Sequence, residues 1–349
     1  MLINLIKIFL PATVAFFLGI LITPIATHFF YKHKMWKKYV RTEDSKNEDF
    51  KKIHNTTGEL GTPRVGGIIV WVSVLGTTLI FYLLSILFPS DTTTKMNFLS
   101  RNQTIIPFFT LLFGSLLGLI DDLIQIYGKG KIAHDDKSWG KIKVFLIGGI
   151  SLLVGIWFFY KLGMHSIHIP FDGSWELGLL FIPFFVIISL ATFSGGVIDG
   201  IDGLSGGVLT AIFASYSIIA FTQNKIDISA FCAVLTGGTL AFLWFNIPPA
   251  RFYMGETGMM GLTITLATIA FITDTVLILP IIAFILVISS LSSIIQMSSK
   301  RFFNKKIFLV APLHHHLQAL GWPSYKITMR FWILSVIFAI IGAILAIVS

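Results

Sequence analysis

The chain has 349 residues, 55% of them apolar and only 12% charged, with a mean hydropathy of +0.83 and a formal net charge of +9. A soluble domain carries roughly 25% charged residues, and apolar runs long enough to cross about 30 Å of hydrocarbon recur along the whole length, so a soluble reading is excluded. The single cysteine, Cys232, rules out an intramolecular disulfide and reads as a small core filler inside an apolar segment.

Taken in chain order, ten membrane spans are expected, at about 5–31, 65–88, 104–127, 141–160, 177–193, 203–222, 227–247, 257–273, 275–297 and 329–348. The fold class is therefore an all-α polytopic membrane protein, read as one domain over 1–349. No small-residue cleavage pattern follows the first span, which carries Pro24, so it reads as a retained helix rather than a signal peptide. Loops 32–64, 128–143, 246–256 and 298–330 hold 21 of the 26 Lys and Arg residues. The positive-inside rule places these loops in the cytoplasm, and an even number of spans leaves both termini outside. A basic rim beside anionic lipid accounts for the net charge, and no nucleic acid is needed. Segment 128–143 reads as a loop. The outer stretch 161–176, with Ile167-His168-Ile169-Pro170 ahead of Asp172-Gly173, reads as a hairpin. No internal repeat is visible, which weighs against the commoner transporter architectures.

Polar chemistry is confined to the inner mouths of the spans. Asp121 and Asp122 end the third span, where a carboxylate at the bilayer centre would cost about 2.5–3.5 kcal/mol. Two adjacent acids oppose their own helix dipole, and oxygen ligands at a watery helix end suit magnesium; the alternative is a plain charged helix end. Asp199 and Asp202, three residues apart among glycines, would share a face on a helical turn. They could hold a ribose, a base edge or a cation, or simply form a membrane reversal. The 245–258 loop presents Asn246, Arg251 and Glu256 on a Pro/Gly frame, with Arg251 open to a phosphate or a lipid headgroup. His314, His315 and His316 follow Pro312 in a basic segment; without cysteines or a metalloprotease spacing they suit a diphosphate better than zinc.

With these motifs in order, the chain resembles the polyprenyl-phosphate N-acetylhexosamine-1-phosphate transferases. The likeness runs over nearly the full length: GTPxxGG at Gly61–Gly67, the pair Asp121-Asp122, DGxDGL at Asp199–Leu204, FNxPPAxxxMGxTG at Phe245–Gly258 and PxHHH at Pro312–His316. The stretch Ala311–Trp332 is most similar to the phospho-N-acetylmuramoyl-pentapeptide transferase branch. Departures are Glu256 where the family has Asp, Phe193 and Gly196 where it has Asn, Gln125 where it has Lys, and Glu59-Leu60 in place of a lysine before GTP. His54 with Thr62–Gly67 leans toward the branch that transfers GlcNAc-1-phosphate.

The resemblance implies a magnesium-dependent bacterial plasma-membrane enzyme, dimeric in solved members, with its active site facing the cytoplasm. It implies transfer of phospho-N-acetylmuramoyl-pentapeptide from UDP-MurNAc-pentapeptide to undecaprenyl phosphate, with release of UMP, in peptidoglycan synthesis. On that reading Glu256 and Asp122 hold Mg2+, and Asp121, Asp122 and His314 are catalytic. Lys143 or Lys137, with His315, His316 and Arg251, meet phosphate, while Asn246, Asp199 and Asp202 line the nucleotide end. Three rivals are an enzyme using UDP-GlcNAc or another UDP-sugar, a membrane transporter, and a lipid-binding homologue that has lost catalysis.

Overall fold

The computed structural model describes residues 2–36, 61–100, 103–128 and 136–349, the side chains of 136–139 excepted. Helix α1 (Leu2–Lys32) is followed by α2 (Gly67–Leu87), a short α3 (Asp91–Met96), α4 (Ile105–Tyr127) and α5 (Asp136–Lys161). Strands β1 (Ser166–Ile169) and β2 (Gly173–Glu176) form the expected antiparallel hairpin, with Ile167 opposite Trp175. Then come α6 (Phe181–Ser194), α7 (Leu204–Thr222), α8 (Ile226–Asn246), α9 (Gly255–Ile272), α10 (Leu279–Ile282), α11 (Phe284–Phe303), α12 (Leu313–Ala319) and α13 (Ser324–Val348). Among the described residues, nine helices are long and apolar enough to cross a membrane, and the chain is a multi-pass membrane protein.

Helix α9 is apolar on every side and almost wholly buried, as expected of a helix enclosed by others. Helices α1 and α13 expose broad apolar faces, which face lipid. Within a bilayer, helices associate through close packing of small residues rather than through a hydrophobic drive. Gly114 and Gly118 of α4 lie against the backbone of Gly261 and Glu256 in α9, so closely that a Cβ at either glycine would strike main-chain atoms.

The span expected at 275–297 is not one helix. It is divided at Ala283 into α10 and α11, with Pro280 in the first turn of α10. The later part of α11 carries Gln296, Lys300 and Arg301, so composition alone does not mark it as a span. The two pieces still carry the chain across the bundle. At one end, His168 N donates to Asp274 Oδ1 at 3.0 Å, Gln223 Nε2 to the Thr273 carbonyl at 2.8 Å and Lys225 Nζ to the Ile272 carbonyl at 2.7 Å. Burial pushes the Lys225 amine below its ordinary value, partly offset by Asp274. At the other end lie the loops that bear the motifs, and α11 delivers Leu313 there, its amide donating to Ser292 Oγ at 2.9 Å.

Both termini share the end opposite the motifs. Lys7 pairs with Asp227 at 2.5 Å beside the Lys225 corner, and α13 starts at the motif end, where Thr328 Oγ1 donates to the Asp202 carbonyl at 3.0 Å, and runs away from it. The expected common side for the termini is thus met by the geometry. Helix α5 corrects the expected loop 128–143: it begins at Asp136. Lys143, already inside the expected span 141–160, lies within this helix.

Candidate active site

The site is built on the N-terminus of α9. Residues 63–67 brace the approach: Tyr253 N donates to the Pro63 carbonyl at 2.8 Å, while Gly66 N and Gly67 N donate to the carbonyls of Tyr253 and Met254, both at 2.9 Å. Gly255 then turns the chain with φ +68°, a left-handed conformation that glycine adopts without a Cβ penalty. A Cβ here would also meet the Arg64 carbonyl and Asp122.

Lys143 joins three elements. Its Nζ stands 3.2 Å from Asp121 Oδ2 on α4 and 3.0 Å from Glu256 Oε1 on α9. The side chains of Asp121, Lys143 and Glu256 are 1%, 17% and 28% exposed, so the cluster opens on the Glu256 side. Gln125 Nε2 donates to the same Asp121 oxygen at 2.8 Å, a neutral donor beside the charge of Lys143. Leu117, Ile120, Leu146, Ile147 and Met260 line a small, mostly apolar pocket together with Asp121 and Lys143.

Asp122 does something other than was expected of it. Its Oδ2 accepts from Thr257 N at 2.8 Å and from Thr257 Oγ1 at 2.6 Å, and its Oδ1 from Glu256 N at 3.3 Å. The carboxylate that opposes the dipole of α4 complements that of α9. With both oxygens turned into the α9 backbone and 1% exposure, it is not placed as a metal ligand beside Glu256.

The DGxDGL segment is a turn after a 3-10 stretch at Gly195–Ile198, not a helix, so Asp199 and Asp202 do not share a helical face. Asp199 accepts from Gly255 N and Ser205 Oγ, both at 2.8 Å. Asp202 accepts from Ala250 N at 3.0 Å. Burial pushes the Asp202 carboxyl above the usual carboxylate range; the Ala250 amide opposes this and the charge of Asp199 adds to it. Asn246, expected at the nucleotide, is buried with both ends of its amide on backbone: Oδ1 accepts from Gly203 N at 3.0 Å and Nδ2 donates to the Phe252 carbonyl at 2.8 Å. It shapes the loop instead. Arg251 lies over the Phe245 ring at 5.4 Å, at the exposed rim.

The histidines lie on a short helix, α12, rather than in a loop, since Pro312 precedes the first turn and costs no helical hydrogen bond there. The His314 and His315 rings lie against each other, their centroids 4.3 Å apart. His314 and His315 approach the bare backbone of Gly200, where a Cβ would meet both imidazoles. His315 Nδ1 is 2.7 Å from Gln318 Oε1, and His316 Nδ1 accepts from Leu309 N at 3.3 Å. The side chain of Lys137 lies outside the described residues, as do His54, Glu59 and Leu60.

One connected path thus runs from His314 through Gly200, Asp199, Gly255 and Glu256 to Lys143 and Asp121. Three supports of this path went unread in the sequence. Thr257 ties Asp122 to α9. Gln296 folds the 305–312 segment back, its Oε1 accepting from Ile307 N and Phe308 N at 3.0 Å each and its Nε2 donating to the Phe308 carbonyl at 2.8 Å. Trp332 Nε1 donates to the Gly203 carbonyl at 3.0 Å and fixes the DGxDGL turn. A glutamine inside an apolar span was the available signal for Gln296.

Comparison with known proteins places this geometry. Residues 104–274 match the model of glycosyl transferase family 4. The chain is 30% identical over 342 residues to a phospho-N-acetylmuramoyl-pentapeptide-transferase of Geobacillus thermodenitrificans, covering 96% of each chain. It is 30% identical over 335 residues to the Bacillus subtilis protein of the same name, with 94% of each covered. A Latilactobacillus sakei protein of that name is 33% identical over 283 residues, 79% of this chain and 82% of its own. The chain therefore belongs to the glycosyl transferase family 4 proteins and, among them, to the phospho-N-acetylmuramoyl-pentapeptide-transferase family.

Proposed function

We propose that the protein transfers phospho-N-acetylmuramoyl-pentapeptide from UDP-MurNAc-pentapeptide to undecaprenyl phosphate, in the bacterial plasma membrane with the site facing the cytoplasm. An oxygen of the lipid phosphate attacks the sugar-bearing β-phosphorus; a new P–O bond forms, the bond to the bridging oxygen breaks, and UMP leaves with that oxygen and its electron pair. The observation that carries the reading is Lys143 held between Asp121 and Glu256 beside a small apolar pocket. A prenyl chain approaching along this apolar lining would bring its phosphate to the cation.

Phosphoryl transfer depends on positioning and charge neutralisation more than on covalent help. Lys143 would neutralise phosphate oxygens and, in doing so, release the two carboxylates it now bridges. Asp121 would align the lipid phosphate, which near its second pKa of about 6 is already largely ionised at neutral pH. His314, brought to the DGxDGL turn, would contact the diphosphate, with Asp199 and Asp202 shaping the nucleotide end. Among the described residues, no group of three or more His, Cys, Asp or Glu forms a metal cage. Magnesium needs none, since it is commonly held by one or two carboxylates plus substrate phosphates and water. The carboxylate of Glu256, the most open of the cluster, fits that demand, while Asp122 has both oxygens on α9. Bound there, Mg2+ would supply charge neutralisation of the diphosphate.

The test is UMP release by the purified protein with magnesium and undecaprenyl phosphate, given UDP-MurNAc-pentapeptide or UDP-GlcNAc in turn. Release from the first alone is expected. Release from UDP-GlcNAc alone would move the assignment to the sister branch that the 54–67 segment favours. No release from either would leave a lipid-binding homologue.

A further inference from the structure

We infer that Asp122 and Thr257 form a positioning pair that fixes the first turn of α9 and so aims Glu256; the inference rests on the reading of Glu256 as a holder of the divalent cation. A helix start leaves its first amides without intrahelical partners. In α9 three consecutive ones are met by carboxylates from other elements: Gly255 by Asp199, Glu256 and Thr257 by Asp122. The Thr257 hydroxyl adds the shortest bond of the set, 2.6 Å, from a fully buried side chain.

The other sides of this turn are closed by bare backbone. Gly118 lies against the Glu256 carbonyl, and Gly67 lies against Gly258. The main chain at Glu256 is thus packed against backbone on these sides, and its side-chain torsions are the larger freedom. Such a frame matters more for glutamate than for aspartate, because each added torsion widens the volume its carboxylate can sweep. A cap that served stability alone would need no hydroxyl in addition to two amides on one carboxylate.

The experiment uses the full-length protein in detergent, reading Mn2+ binding by electron paramagnetic resonance without substrates and, separately, the magnesium dependence of UMP release. Thr257→Val keeps the branched shape and removes the donor. It should weaken Mn2+ binding about tenfold and raise the half-maximal magnesium concentration to match, with KM for the UDP donor within twofold. Thr257→Ser should retain wild-type values. Thr263→Val is the control for packing, because its buried hydroxyl on the same helix serves only the Met259 and Met260 carbonyls; it should also retain them. Wild-type Mn2+ affinity in Thr257→Val, or an equal loss in Thr263→Val, overturns the pair. If Thr257→Val does not survive purification, Asp122→Asn, which keeps one acceptor and loses the other, should show the same loss, and unchanged affinity in it overturns the pair equally. Mn2+ binding that persists in Glu256→Gln overturns the underlying reading of Glu256 instead.

Discussion

Replacing Lys143 with Met tests the electrostatics of the site most sharply. The methionine keeps the length of the stem and removes the charge that Asp121 and Glu256 share. Removing one partner of a fully buried ion pair costs roughly 3–5 kcal/mol. Asp121 is 1% exposed and approaches that limit, but Lys143 at 17% and Glu256 at 28% retain some water, which lowers the expected cost to about 2–3 kcal/mol. Gln125 remains on Asp121 and softens the loss further. For catalysis, losing one group aimed at developing charge costs about 10²–10³ in rate. The assay is UMP release at saturating concentrations of both substrates, alongside a thermal unfolding profile in the same detergent. Lys143→Met should lose at least about 10² in turnover, and Lys143→Arg should recover part of it, since charge is kept but the fork does not reproduce a point charge between two carboxylates. Turnover of Lys143→Met within fivefold of wild type would show that the cation between the carboxylates serves packing alone.

Three further outcomes are expected. Gly118→Ala should cost stability on the scale of an overpacked core, about 1–3 kcal/mol, because its Cβ meets the Glu256 carbonyl; an unchanged unfolding midpoint would mean α4 and α9 are less closely joined than described. Glu256→Asp withdraws the carboxylate by one methylene from the 3.0 Å contact with Lys143, so turnover should fall and half-maximal magnesium should rise; improved turnover would mean the 255–257 turn is adapted to the shorter acid after all. Asp202 holds its proton more tightly folded than unfolded because it is buried, so its stabilising contribution is complete below the unfolded pKa and is lost as pH rises through the higher folded one. Asp202→Asn removes that loss: its midpoint relative to wild type should rise between pH 4 and pH 7, and a constant difference would remove Asp202 from the titration.

Much of the fold was legible because hydrocarbon demands long apolar runs and charged loops sort by side. Spans at α1, α2, α4 and α6 to α9, the β1–β2 hairpin and the shared side of the termini all followed from composition and turn residues. The break at Ala283 did not, because Pro280 at a helix start is compatible with an unbroken span as well as a broken one. The early start of α5 was hidden by Gly, Lys and Asp, residues common to loops and helix ends alike. Within the site, motif spacing named Asp121, Asp122, Asp199, Asp202, Glu256 and His314, but not the division of labour among them. Two adjacent aspartates look equivalent in sequence; one turn of α4 sends Asp121 toward Lys143 and Asp122 into the α9 amides. Long-range pairings such as Thr257 with Asp122 leave no local pattern.

The central claim is that distant loops meet on the inner face of the membrane around Lys143 and Glu256. Cysteine-accessibility mapping in a Cys232→Ala background tests it directly, with single cysteines placed at Gly128, Lys306 and Ser174. Labelling of the first two only from the cytoplasmic side, and of Ser174 only from outside, is the result predicted here. Labelling of positions 128 and 306 from opposite faces, or of both from outside, would contradict it.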